Sequence, residues 1–229
     1  MSWFGRYLRS SVGAKHVMAI TGLLLLLFTI VHMIGHLQMF GGPDMYNKYA
    51  HFLQSLWEVK WPVRAGLLAL VILHIVLAIG LVAKNKAARP VNYAMYKPVV
   101  SSGVGRAMAF TGLVIFAFIA FHILHFTVGL VQHDTFHQID PLDRTRYDAY
   151  AMFVHGFQNP AIYAIYLVGM VLLAMHLGHG ASSWFQSLGW RHPKYPVDKI
   201  GPALSVILFV GYMLPPTAVL VGIIRLPGA

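Results

Sequence analysis

Four histidines stand where a histidine is costly to place. His32, His74, His122 and His176 each lie deep inside a long apolar run. Hydrocarbon offers an ionisable side chain no hydration, so a buried intramembrane histidine calls for a functional reason. A neutral imidazole has two chemistries available there: it can donate a lone pair to a metal, or it can pass a proton. Three further histidines follow closely on the first set: His36 after His32 at i+4, His125 after His122 at i+3, and His179 after His176 at i+3. Each shares a helix face with its neighbour.

The elements that must position these residues are transmembrane helices. The chain has 229 residues, 58% hydrophobic and 10% charged, with mean hydropathy +0.65. A soluble domain carries about 25% charged residues. Five spans are expected at about 14–40, 62–83, 105–130, 159–181 and 199–224, giving an all-α integral membrane bundle in one domain, 1–229. The first reads AKHVMAITGLLLLLFTIVHMIGHLQMF, long enough at ~1.5 Å per residue to cross a bilayer core. Polar, turn-rich interruptions separate the spans: GGPDMYNKY, KNKAARPVNYAMYKPVVSSG, QHDTFHQIDPLDRTRYD and WRHPKYPVDK. The basic start, MSWFGRYLRSSVGAKH, leads into a full-length span without a small-residue cleavage site and is expected to be retained.

Net charge is +10, which points to nucleic acid only until it is mapped. One face collects Arg6, Arg9, Lys15, Lys84, Lys86, Arg89, Lys97, Arg106, Arg191, Lys194 and Lys199 against Asp198 alone. The other balances Lys48, Lys60, Arg64, Arg144, Arg146 and Arg225 against Asp44, Glu58, Asp134, Asp140, Asp143 and Asp148. The positive-inside bias makes the first face cytoplasmic, with the N-terminus inside and the C-terminus outside. The partner of this charge is membrane topology, not nucleic acid.

Antiparallel spans then sort the histidines by depth. His32 lies 17 residues beyond Lys15, and His122 lies 16 residues beyond Arg106, ~25 Å from the inner end. His74 lies ten residues before Lys84 and His176 eight before Trp184, ~12–15 Å from that end. Two pairs at two depths suit two haems, the outer held by His32 and His122, the inner by His74 and His176. The chain has no cysteine, so covalent haem attachment, thiolate clusters and disulfides are excluded, and any haem is non-covalent and histidine-bound. With both axial positions filled, the chemistry is electron transfer. Gly22, Gly35, Gly112, Gly129, Gly178 and Gly180 are candidates to make room for a flat macrocycle.

A repeat supports the pairing. Met18, Ala19, Thr21, Gly22 and His32 match Met108, Ala109, Thr111, Gly112 and His122 at an offset of 90. MYNKYAHF at Met45–Phe52 resembles RYDAYAMF at Arg146–Phe153 at an offset of 101. Residues 11–83 and 102–181 therefore read as two copies of one hairpin, with the fifth span added. Position 126, which matches His36, is Phe126, so the repeat favours the first histidine of each pair as the ligand and leaves His36, with His125 and His179, for a supporting or quinone-facing role. His16, His51, His133, His137, His155 and His192 fall at interfaces or in loops and are expected to be solvated.

With these residues placed, the chain resembles the di-haem cytochrome b membrane anchor of succinate dehydrogenase (succinate:quinone oxidoreductase) and fumarate reductase, in its single-chain, five-helix form. The runs that carry the resemblance are SSVGAKHVMAITG, VHMIGHLQMF, LHIVLAIGLVAKNKAARPVNY, FIAFHILHF and AMHLGHGASSWFQSLGW. It implies ligands at His32, His74, His122 and His176, two haem b groups, a quinone that is menaquinone, and location in the bacterial cytoplasmic membrane. It also implies a flavoprotein subunit and an iron–sulfur subunit as partners, with electrons relayed between the iron–sulfur subunit and the quinone. The complex as a whole, in the membrane lipid, is then open to higher oligomers. Many relatives carry Asn where this chain has His36.

The quinone site has no carboxylate in the core of any span to mark it. Candidates are Asp44, Glu58, Lys48, Tyr49 and His51 on the outer side, or Ser11, Lys15, His16 and Arg106 on the inner. Other readings are a di-haem anchor of another quinone-linked oxidoreductase, such as a hydrogenase or formate dehydrogenase, and a haem-free transporter that uses its histidines as a proton relay.

Overall fold

The computed structural model describes residues 2–88, 91, 101–192 and 194–228. Arg89 and Lys97 of the basic face lie outside them, as do residues 92–100 of the loop and the side chain of Arg9. The chain is helical: α1 (Trp3–Arg9), α2 (Ser11–Leu37), α3 (Gly42–Ser55), α4 (Trp57–Ala87), α5 (Gly103–Ile123), α6 (Ala149–Gln158), α7 (Pro160–Ser187) and α8 (Val197–Leu220). A π-helical turn, Leu124–Val128, continues α5. Among the described residues there is no strand beyond a lone bridge between Ile139 and Tyr147.

Five helices, α2, α4, α5, α7 and α8, are long and apolar enough to cross a membrane. Their starts are set locally. Ser10 caps α2 by accepting from the Gly13 N–H, and Ser102 caps α5 by accepting from the Gly105 N–H, both at 3.0 Å. Asn159 caps α7, and Pro160 takes the first helical position, where its missing N–H costs nothing.

The bundle is built from two hairpins and a closing helix. α2 packs on α4, and α5 packs on α7. α8 seats against α7 so closely that a Cβ on Gly178 or Gly201 would strike the facing helix. Ser205 Oγ donates to the Ala174 carbonyl across that seam (2.7 Å), and Tyr212 Oη ties α8 to the Thr29 carbonyl of α2 (2.6 Å). α4 has no buried residue and lies at the periphery, with Ile72, Val76 and Ile79 exposed. α2 and α5 hardly approach one another through their backbones. That separation leaves the space between them to side chains.

The apolar core is concentrated at the end away from the N-terminus. There Met39, Tyr46, Phe153, Val154, Phe157, Tyr166 and Val219 pack around α6. Of the expected polar interruptions, GGPDMYNKY is part of a helix, α3, and a second short helix, α6, follows the irregular stretch QHDTFHQIDPLDRTRYD. α3 starts on Pro43 and Asp44, an imino acid and an acid that both suit a helix's first turn. α6 starts on Asp148, whose carboxylate accepts from the Ala151 N–H (2.8 Å). The two are pinned by a buried polar cluster. Arg146 bonds Asp140 (2.6 Å) and Asp44 (2.8 Å), while Asn47 donates to Asp140 and Asp148 (both 3.0 Å) and accepts from the Tyr150 N–H (2.8 Å). Arg146, Asp140 and Asn47 are 4%, 1% and 0% exposed, so this is interior structure rather than loop charge.

Candidate functional site

The four histidines occupy two levels. In the far layer, toward α3 and α6, His32 of α2 faces His122 of α5 with ring centres 5.8 Å apart. Two imidazoles sharing one metal through bonds of roughly 2 Å have ring centres about 6 Å apart. Phe28 stacks on His32 (5.4 Å) and Phe118 on His122 (6.2 Å), each four residues earlier on its own helix. In the near layer, toward the N-terminus, His74 Nδ1 lies 3.0 Å from Thr21 Oγ1, and His176 Nδ1 lies 3.0 Å from Thr111 Oγ1. Eleven residues separate Thr21 from His32, and eleven separate Thr111 from His122. The layers are therefore about 16 Å apart along the helices.

The near layer is the same contact built twice at the repeat's offset. Each threonine hydroxyl donates to a carbonyl three residues back, Thr21 to Met18 (3.0 Å) and Thr111 to Met108 (3.1 Å). A hydroxyl has one proton. With that proton on the carbonyl, each oxygen accepts from an imidazole Nδ1–H. His74 and His176 are then the tautomers whose Nε2 carries the free lone pair. Beside each ring stands a glycine, where a Cβ would come within 3.4 Å of His74 (Gly22) or 3.5 Å of His176 (Gly112).

The other glycines divide differently from expectation. Gly35 leaves room for the Tyr49 hydroxyl, Gly129 is a left-handed cap (φ 74°), Gly178 is used up against α8, and Gly180 faces open space. Gly105 and Gly156, not singled out before, lie against the rings of His179 and His125.

Around the far layer, the neighbouring histidines are engaged. His36 Nε2 meets His32 Nε2 at 3.3 Å, and His36 Nδ1 meets Tyr46 Oη at 2.9 Å. Tyr166 Oη lies 3.2 Å from His122 Nδ1 and 3.0 Å from His125 Nδ1. His125 is 3% exposed. His179 sits beside the start of α5, while Lys15 and Arg106 are exposed at the N-terminal ends of α2 and α5, with Arg106 bonded to the Ser101 carbonyl (2.5 Å). Of the outlying histidines, His51, His133, His137 and His192 are exposed. His16 and His155 are half-buried, because His16 bonds the Tyr7 hydroxyl and His155 sits on the buried helix α6.

Among the described residues, no group of three or more His, Asp or Glu side chains could hold a metal ion by itself. The donor set is instead paired imidazoles, with Nδ1 engaged on three of the four. That set fits a metal whose remaining ligands come from a flat macrocycle lying between separated helices. The exception is His32, whose Nε2 is turned to His36. Thr21 and Thr111 could have been found beforehand, since they recur at the same offset as the histidines. Tyr46, Tyr166 and Gln132 gave no signal, because packing alone sets their partners. No protein-family model, curated protein or solved structure matches the chain.

Proposed function

We propose that the chain is the membrane anchor and electron-transfer subunit of a succinate:quinone oxidoreductase, holding two haem b groups between its helices. The observation that carries this reading is the placement of four half-buried imidazoles at two levels, three of them bonded through Nδ1. Bound haem would supply one-electron chemistry, and His32, His74, His122 and His176 are the residues that would hold it.

The chain's own residues do the rest. His74 and His176 would hold the inner group, with Thr21 and Thr111 fixing their rings. His32 and His122 would hold the outer group, covered by Phe28 and Phe118. The basic end suits an iron–sulfur subunit docked from the cytoplasm, with a flavoprotein behind it. A quinone, menaquinone by the resemblance, is placed toward the outer pair, where His36 and Tyr46 supply polar groups. The membrane is the bacterial cytoplasmic one, with the N-terminus inside.

A reduced-minus-oxidised optical spectrum with a pyridine haemochrome count tests this. Two low-spin haems per chain are expected. The isolated chain should oxidise no succinate, and the activity should appear with its partners. A folded preparation without haem would overturn the reading. It would favour a histidine proton relay, for which the His32–His36–Tyr46 line of hydrogen bonds is the supporting observation.

A further inference from the structure

We propose that Gln132, His125 and Tyr166 form a hydrogen-bonded relay that fixes which nitrogen of His122 is free for iron and sets how strongly that nitrogen donates. The proposal rests on the haem reading above and adds three positioning residues to it.

The direction of every bond follows from one fixed end. Gln132 Nε2 lies 3.3 Å from the backbone carbonyl of His155, which can only accept. The Gln132 amide therefore presents its NH2 to that carbonyl and its oxygen to His125, whose Nε2 is 2.8 Å away. An amide oxygen cannot donate, so His125 Nε2 carries a proton. Neutral His125 then has a bare Nδ1, which must accept from the Tyr166 hydroxyl at 3.0 Å. That spends the one proton of Tyr166. Its oxygen can only accept from His122 Nδ1, at 3.2 Å. His122 is left with Nδ1–H and a free lone pair on Nε2.

The backbone is shaped for this arrangement. His125 sits on the π-helical turn, Gly129 closes that turn in the left-handed region, and Gln132 adopts φ 54°, which returns its side chain to the ring. π turns recur at functional sites. Gly156 on α6 leaves the space His125 fills, for a Cβ there would come within 3.3 Å of the ring. Nothing in helix packing alone requires a buried histidine between a buried tyrosine and a glutamine.

An acceptor on Nδ1–H makes a ligating imidazole more electron-rich. That favours the oxidised metal and lowers its reduction potential. The relay should therefore tune the outer haem and leave the inner one alone. The test is an optical redox titration of the assembled complex, comparing wild type with Tyr166→Phe and Gln132→Glu. Tyr166→Phe removes the acceptor, so the outer midpoint should rise. Gln132→Glu places a carboxylate on the far end of the chain, so the outer midpoint should fall. The inner midpoint is the internal reference in both.

Opposite shifts confined to one haem establish the relay. Two haems with unmoved midpoints, or shifts of the same sign, overturn it and leave the proposed function standing. If Tyr166→Phe loses the outer haem, Gln132→Glu decides alone, and an unmoved or raised midpoint there overturns the relay. A wild-type complex without haem overturns the proposed function, and the relay falls with it.

Discussion

At the scale of the residue, the far layer sets up a competition that the near layer avoids. His74 and His176 each meet a threonine through Nδ1, so their Nε2 atoms are unengaged. His32 meets His36 through Nε2 itself, so the two rings contend for one position. The repeat places Phe126 opposite His36, which favours His32 as the ligand. His36→Phe should accordingly keep two haems, whereas His32→Ala or His122→Ala should keep one, measured by haemochrome count. Loss of a haem from His36→Phe with retention in His32→Ala would reverse the assignment. The threonines carry a second prediction. Thr21→Val keeps volume but strands the His74 Nδ1–H, and a lost partner of this kind typically lowers metal affinity about 10–100-fold. Inner haem should titrate out of Thr21→Val and of Thr111→Val at lower competitor concentration, with the outer haem unmoved. The histidines themselves were legible because a charge-bearing ring in an apolar run has no local explanation. Thr21 and Thr111 recur at the repeat's offset, so the sequence marks them, but which histidine each meets, 53 and 65 residues away across a helix seam, is set by packing.

At the scale of the element, α3 and α6 hold one end of the bundle through Asn47 and the Arg146–Asp140 pair. The five spans could be read from length and hydropathy, but these two helices could not. Pro43 and Asp44 look like turn residues until they are seen in the first turn of α3, as do Asp148 and Asn159 until they are seen to cap α6, and Asn47 gives no sign in sequence that it is buried. Asp140 and Arg146 likewise read as exposed charge, because sequence does not reveal that Asn47 comes to cover them. Removing one member of a buried pair costs about 3–5 kcal/mol, since the other is left charged and unpaired. Arg146→Leu should lower the thermal midpoint in detergent strongly, and Lys48→Leu, on an exposed pair, should barely move it. The same cluster gives a pH dependence. Burial works to raise the Asp140 pKa, but the Leu142 N–H, Arg146 and Asn47 outweigh it and hold the carboxyl below its ordinary value. A carboxyl with a lowered folded-state pKa stabilises fully above the unfolded value, ~3.9, and loses that stabilisation as pH falls through the folded one. Thermal midpoints measured down that acid range should fall in wild type and fall less steeply in Asp140→Asn.

At the scale of the whole molecule, the two ends differ in kind. The end opposite the N-terminus is closed by buried aromatic packing and a balanced polar cluster. The N-terminal end displays exposed cations, among them Lys15, Lys86, Arg106 and Lys194, and gathers almost no acid. An asymmetry of that size sets topology during insertion. The absence of cysteine makes the orientation directly measurable, because any introduced thiol is the only one. Leu142→Cys, at a position 62% exposed, marks the closed end, and Lys194→Cys, also exposed, marks the basic end. A membrane-impermeant maleimide should label Leu142→Cys in intact cells and Lys194→Cys only after permeabilisation. Losing one lysine leaves the charge excess large enough to keep the topology. The reverse labelling would put the cationic end outside. The proposed function would then lose its docking side, since it requires the cationic end, nearest His74 and His176, to face a cytoplasmic iron–sulfur subunit.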